Sequence, residues 1–112
     1  MHNPQSSTVL QHAIEIAQLA RPLLAIIQRK DHDLASQLRR AINSIALNVA
    51  EAQGNAGGNT RVRYESALGS LYETQAGVLL AVAWGYVSRA EAASVLEALH
   101  ALGGRVYGLV RR

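Results

Sequence analysis

QLRRAINSIALNVAE, residues 37–51, is the stretch that decides the fold. At about 100° per residue, Leu38, Ala41, Ile42, Ile45 and Val49 fall on one face, so the stretch reads as an amphipathic helix. Gln37, Ser44, Asn48 and Glu51 form a polar shoulder beside that face, with Arg40 at its outer edge, and Leu47 points almost directly away from it. An isolated two-sided helix requires neither a shoulder next to the seam nor a leucine on the solvent side. Both features point to partners outside the helix.

The pattern continues in both directions. Val9, Ala13, Ile16, Ala20, Leu23 and Ile27 step by threes and fours and predict a helix over about 7–28. Pro22 removes one ladder hydrogen bond from it and clashes with the preceding turn, which predicts a kink near Gln18 to Pro22. The helix of the opening stretch extends over about 34–53, capped by Asp31 or Asp33. A third helix follows GNAGGN with Asn59 or Thr60 as cap, spans about 60–84, and stops at Gly85. The fourth, over about 89–110, opens at Ser88, which with Glu91 matches the capping box. Its Ala92, Val95, Leu99, Leu102, Val106 and Leu109 carry the seam spacing of antiparallel bundles. No strand is predicted. Short connections make the first and second helices, and the third and fourth, antiparallel neighbours. The expected architecture is all-α: one up-down-up-down four-helix-bundle domain over 1–112.

At 112 residues a single core is sufficient. With no cysteine there is no disulfide, thiolate metal site or thiol nucleophile. The N-terminal residues lack a secretory pattern, and the longest apolar candidate, AGVLLAVAWGYV, falls short of the roughly 18 residues of a membrane span. A cytoplasmic location is expected. The formal charge is +3, with ten arginines and one lysine on the positive side, and the pI is about 9.8. Arginine forks onto phosphate and carboxylate; the plainer alternative is a solvated basic surface.

The third helix carries a second signal. Tyr64, Leu68, Leu71, Val78 and Val82 supply its expected core face, while Val62, Gly69, Ala76, Leu80 and Ala83 lie opposite, and from Ala76 onward it is apolar all round. In a bundle every helix has an outer side, so this pattern predicts self-association through Leu47, Gly69, Ala76, Leu80 and Ala83; scattered surface apolar residues are the alternative. Gly69 and Gly77, each costly in a helix, are expected to permit close backbone approach.

Ser44, Asn48 and Ser70 are expected to bridge the second and third helices. Arg40, Glu51 and Glu73 are expected to form ion pairs within or between subunits; solvated positions are the alternative. In an up-down-up-down bundle Arg61, Arg63, Arg111 and Arg112 gather at one end, with the glycine-rich loop and a helix start that add free amides for phosphate. Arg29, Lys30, Arg39, Arg40 and Arg89 collect towards the other. Copies in a ring would multiply either cluster, and each phosphate neutralised releases a counterion. No aromatic pattern for stacking bases interrupts the basic residues and no reading motif is present, so binding is expected to follow the backbone.

Catalytic readings find less support. GNAGGNT has no lysine and follows no strand. Glu97 and His100 have the Glu-x-x-His spacing of di-iron bundles but lack the second pair. His12 reads as a hydrogen-bonded structural histidine, and no serine sits in a nucleophile elbow. Neither catalysis nor a metal or cofactor is expected.

QLRRAINSIALNVAE, RYESALGSLYETQ and WGYVS together resemble the bacterial four-helix-bundle family of the 23S rRNA intervening-sequence proteins, which includes the accessory variability proteins of diversity-generating retroelements. Its pattern falls here on Gln37, Leu38, Arg39, Arg40, Ala41, Ser44, Asn48, Ala50 and Glu51, then Gly69, Ser70 and Glu73, then Gly85 and Tyr86. The chain departs from it at Ala52 and Leu68, where the family usually has glycine and a basic residue. The resemblance implies a homopentameric ring, with a reverse transcriptase and nucleic acid as partners of accessory members. The resulting expectation is a non-catalytic, ring-forming adaptor that binds nucleic acid, against the alternative of an interaction scaffold that does not.

Overall fold

The computed structural model describes residues 8–54 and 58–112. Ser7, the expected start of the first helix, and Asn55, Ala56 and Gly57 of the glycine-rich loop lie outside them. Four helices follow one another: α1 Val9–Lys30, α2 His32–Gly54, α3 Thr60–Ala83 and α4 Arg89–Val110. Among the described residues there is no strand.

Local chemistry sets the boundaries. Thr8 Oγ1 accepts from the Gln11 amide and Gln11 Oε1 from the Thr8 amide, each at 3.0 Å, a capping box that starts α1. The same device starts α4, where Ser88 Oγ accepts from the Glu91 amide at 3.0 Å and Glu91 Oε1 from the Ser88 amide at 2.8 Å. The expected gap between the first two helices shrinks to one residue. Asp31 donates its amide to Ile27 O at 2.7 Å, ending α1, while its Oδ1 accepts from the Leu34 amide at 2.9 Å, starting α2. Because Asp31 rather than Asp33 is the cap, α1 runs past Gln28 to Lys30 and α2 begins at His32, before Leu34. At the end of α3 the Gly85 amide reaches Val82 O and the Tyr86 amide reaches Ala81 O, both at 2.9 Å. This closure needs the positive φ of 78° that Gly85 adopts.

All four helices contribute to one core, with Ile16, Ile27, Leu38, Ile45, Leu71, Leu99 and Leu102 fully buried. Neighbours in sequence pack together and α4 closes against α1; the α2–α3 seam is the most extensive and α1–α4 the slightest. The buried line of α3 differs from the expected one. It runs through Tyr64, Ala67, Leu71, Thr74, Gly77, Val78 and Ala81, with Leu68 and Val82 only half-buried at its flank. Gly77 shows why: a Cβ there would lie 2.5 Å from Leu38 Cδ2. α3 turns its small residues into α2, and the two helices close on each other around Leu38. Gly69, expected to act similarly, faces open space.

Candidate functional site

The polar shoulder of α2 meets α3 in a chain of hydrogen bonds. Ser70 Oγ donates to Ser44 Oγ at 2.8 Å. Asn48 Nδ2 donates to Ser44 O at 2.9 Å and to Ser44 Oγ at 3.0 Å. Fully buried Thr74 donates to Ser70 O at 2.8 Å, which satisfies its hydroxyl inside the helix. Ser44, Asn48 and Ser70 are therefore brought together, half-buried, between the two helices that share the largest seam.

The charged members of the shoulder are arranged differently. Glu51 pairs with Arg63 across the α2–α3 seam at 3.3 Å. Among the described residues Arg40 and Glu73 have no ion-pair partner. Arg40 and Arg63 line one shallow groove with Leu47, Asn48 and Glu51, whereas Glu73 lines another with Gln37, Ala76 and Leu80. Arg39 projects from the other side of α2, into a groove of about 510 Å³ that it shares with Arg21 of α1. Adjacent in sequence, Arg39 and Arg40 thus serve opposite flanks of α2, as about 100° per residue requires.

Arg61, in the first turn of α3, pairs with Glu65 at 3.7 Å. This i,i+4 contact offsets the unfavourable position of a cation at a helix start. At the C-terminus, Arg111 stacks over the Tyr107 ring, 5.6 Å from its centroid, and Arg112 is exposed. At the turn between α1 and α2, Lys30 Nζ donates to Tyr86 O and the Tyr86 hydroxyl donates to Asp31 Oδ2, each at 3.0 Å. The Leu34 amide, with help from Tyr86, holds the Asp31 carboxyl below its usual range. The bond to Asp31 in turn raises the Tyr86 hydroxyl above its ordinary value. These contacts fasten the α1–α2 turn to the α3–α4 turn, and Arg29 and Arg89 stand exposed near by in sequence.

The outer face of α3 is open in the single chain. Gly69, Ala76, Leu80 and Ala83 are exposed, as is Leu47 at 67% of its surface. Tyr72 and Leu79 of α3 and its C-cap Trp84, which the sequence did not single out, are exposed as well, the last at 69%. His12, by contrast, is 5% exposed, and its Nδ1 lies 3.3 Å from Arg105 Nη1. Burial and then the Arg105 charge lower its pKa, against an opposing pull from Glu15, so Nδ1 accepts from the guanidinium with the ring neutral. Glu97 lines the α1–α4 groove with His12, while His100 lines the α3–α4 groove; the two do not face a common site. Among the described residues no three His, Cys, Asp or Glu side chains cluster as metal ligands.

A family model described as 23S rRNA-intervening sequence protein matches residues 5–108. The chain belongs to this family. For this member of the 23S rRNA intervening-sequence proteins, a search of curated proteins finds no match. Among solved structures it is similar to a protein of unknown function from Bacteroides thetaiotaomicron, described as from the S23 ribosomal protein family. The similarity has 18% identity and a TM-score of 0.87, covering 94% of this chain and 100% of the other. At that identity the likeness concerns the fold: four helices in the same arrangement. No described helix is long and apolar enough to cross a membrane.

Proposed function

We propose that this protein is a non-catalytic, basic adaptor whose copies pack through Leu47, Gly69, Ala76, Leu80 and Ala83, and which binds nucleic acid through its phosphates. One observation carries the reading. Among the described residues Arg21, Arg29, Arg39, Arg40, Arg89 and Arg112 are exposed with no carboxylate in ion-pair range. Uncompensated guanidinium groups spread over several sides of a small chain suit a polyanion that follows a surface, and phosphate takes their forked geometry.

The helices read as an up-down-up-down bundle. Supporting contacts are Lys30 at the end of α1 beside Tyr86 just before α4, and Arg105 late in α4 beside His12 early in α1. Copies joined along α3 would set these arginines in one repeated field. The family resemblance suggests five copies in a ring, in the cytoplasm, with a reverse transcriptase as the kind of protein partner.

A scaffold without nucleic-acid binding is the second reading, and a specific observation favours it: Arg61 and Arg63 are already paired with Glu65 and Glu51. Fluorescence anisotropy with labelled single-stranded and duplex oligonucleotides at two salt concentrations separates the readings. The adaptor binds at low salt and weakens steeply as salt rises, by about 0.9 in logarithmic slope for each duplex phosphate neutralised. Absence of low-salt binding, or binding indifferent to salt, leaves the scaffold.

A further inference from the structure

We infer that the groove between α3 and α4 is a stacking platform for the unpaired bases of a single-stranded nucleic acid, with Tyr72 and Tyr107 as its aromatic surfaces. This rests on the nucleic-acid reading above and adds to phosphate contact a second, base-directed one. The groove encloses about 380 Å³ and is lined by Tyr72 and Gln75 of α3 and by His100, Gly103, Gly104 and Tyr107 of α4.

Three features of the groove suit a nucleobase. First, Tyr72 and Tyr107 are 54% and 49% exposed, unusual for two large rings lining one groove of a small bundle. Neither the interval between them nor any linear aromatic motif announces the pair, because they come from different helices. Second, the floor is kept low by glycine. Gly103 is explained by packing, since a Cβ there would come within 3.3 Å of Leu71 Cδ2. Gly104 is not: a Cβ there would meet nothing within 4 Å, yet glycine inside a helix costs about 1 kcal/mol relative to alanine. Gly104 leaves its part of the groove lining without a side chain.

Third, the cation stands at one end. His100, Gly104 and Tyr107 follow one another at helical spacing along α4, and Arg111, the C-cap residue just past its end, lies over the Tyr107 ring. A base stacked beside Tyr107 places its phosphate towards Arg111 and the neighbouring Arg112. Gln75 and His100 offer donors and acceptors to the base edge. A duplex, whose bases are already stacked on one another, presents no face to such a groove, so single strands are preferred.

The test uses the whole chain with labelled oligothymidine and a duplex of equal length, and compares Tyr72→Ala, Tyr107→Ala, Tyr107→Phe and Arg111→Gln. Each alanine variant should weaken single-strand binding by about fivefold to a hundredfold, the effect of losing one stacked base. Its salt dependence and its duplex binding should stay unchanged, because no charge is removed. Tyr107→Phe should bind as the parent does, and Arg111→Gln should lower the single-strand salt slope by about 0.7. Alanine variants that bind oligothymidine like the parent overturn the platform and leave phosphate binding standing. Failure of the parent to bind any oligonucleotide at low salt overturns both. A change in the sedimenting size of Tyr72→Ala or Tyr107→Ala would assign the groove to contact between copies instead, and also overturns the platform.

Discussion

Replacing Gly77 by alanine should destabilise the chain, although alanine is the better helix former. The new Cβ would lie 2.5 Å from Leu38 Cδ2 and 3.1 Å from its Cγ. Leu38 is 2% exposed, so the displacement has to be taken up within the α2–α3 seam and the small groove that Leu38 and Gly77 line. Either α3 moves off α2 or Leu38 leaves its rotamer; overpacking of this kind costs about 1–3 kcal/mol. Helix propensity returns about 1 kcal/mol, so the expected net loss is about 1 kcal/mol, or roughly 5 °C in Tm for a domain this size. Gly104→Ala, whose Cβ enters open space, gains the same propensity without a clash and should stabilise by about 1 kcal/mol. Urea melts at one fixed protein concentration read both, with an unchanged m-value showing that the same structure unfolds. Adding Leu38→Ala to Gly77→Ala should cost less than the two separate losses combined, because the cavity accepts the methyl group. If Gly77→Ala stabilises as much as Gly104→Ala, the close approach of α2 and α3 is wrong.

Three further outcomes follow from named contacts. Ser70→Ala leaves Ser44 Oγ without the donor from α3 and should cost about 1 kcal/mol in the same melts, and Asn48→Ala about 1–3 kcal/mol, whereas Glu73→Gln, exposed and unpaired among the described residues, should change stability by less than about 0.5 kcal/mol. His12 should make stability fall on the acid side. Its folded pKa lies below the ordinary 6.5, so as pH drops the unfolded chain takes the proton first. Stability is then full above about pH 7 and declines through 6.5 down to the folded value. Melting temperature against pH should show this slope in the parent and lose it in His12→Gln. Gly69→Ala should raise the stability of a single chain, since its Cβ meets nothing within 4 Å, but should weaken association if copies meet there. Sedimentation of the variant across a dilution series reads the two effects separately.

Much of the fold was legible because its signals are local. The Ser88–Glu91 capping box, the stop at Gly85 and the seam of α4 each lie within a few residues and appear where expected. The polar shoulder was legible for the same reason: Ser44 and Asn48 are one turn apart, and their offset from the apolar face required partners in a neighbouring helix. What escaped was set by pairing between helices. The rotation of α3 that sends Gly77 and Thr74 inward and leaves Leu68 and Val82 at the flank depends on how closely α2 approaches, which periodicity does not carry. The division of Arg39 from Arg40 follows from helical geometry, but the groove that Arg39 shares with Arg21 forms only where α1 packs on α2. Tyr72 and Tyr107 become neighbours only when α3 and α4 pack. Asp31 was one of two possible caps; the Leu34 amide on its Oδ1 marks it as the one used, and its Oδ2 is held by Tyr86, far along the chain.

Sedimentation velocity of the protein with a fluorescent single-stranded oligonucleotide, followed at both the protein and the dye wavelengths, tests most directly whether assembled copies hold nucleic acid by its phosphates. The dye should travel with a species several times the 12.0 kDa of one chain at low salt and be released as salt is raised. Protein sedimenting as single 12.0 kDa chains, with the dye left behind at low salt, would contradict the account.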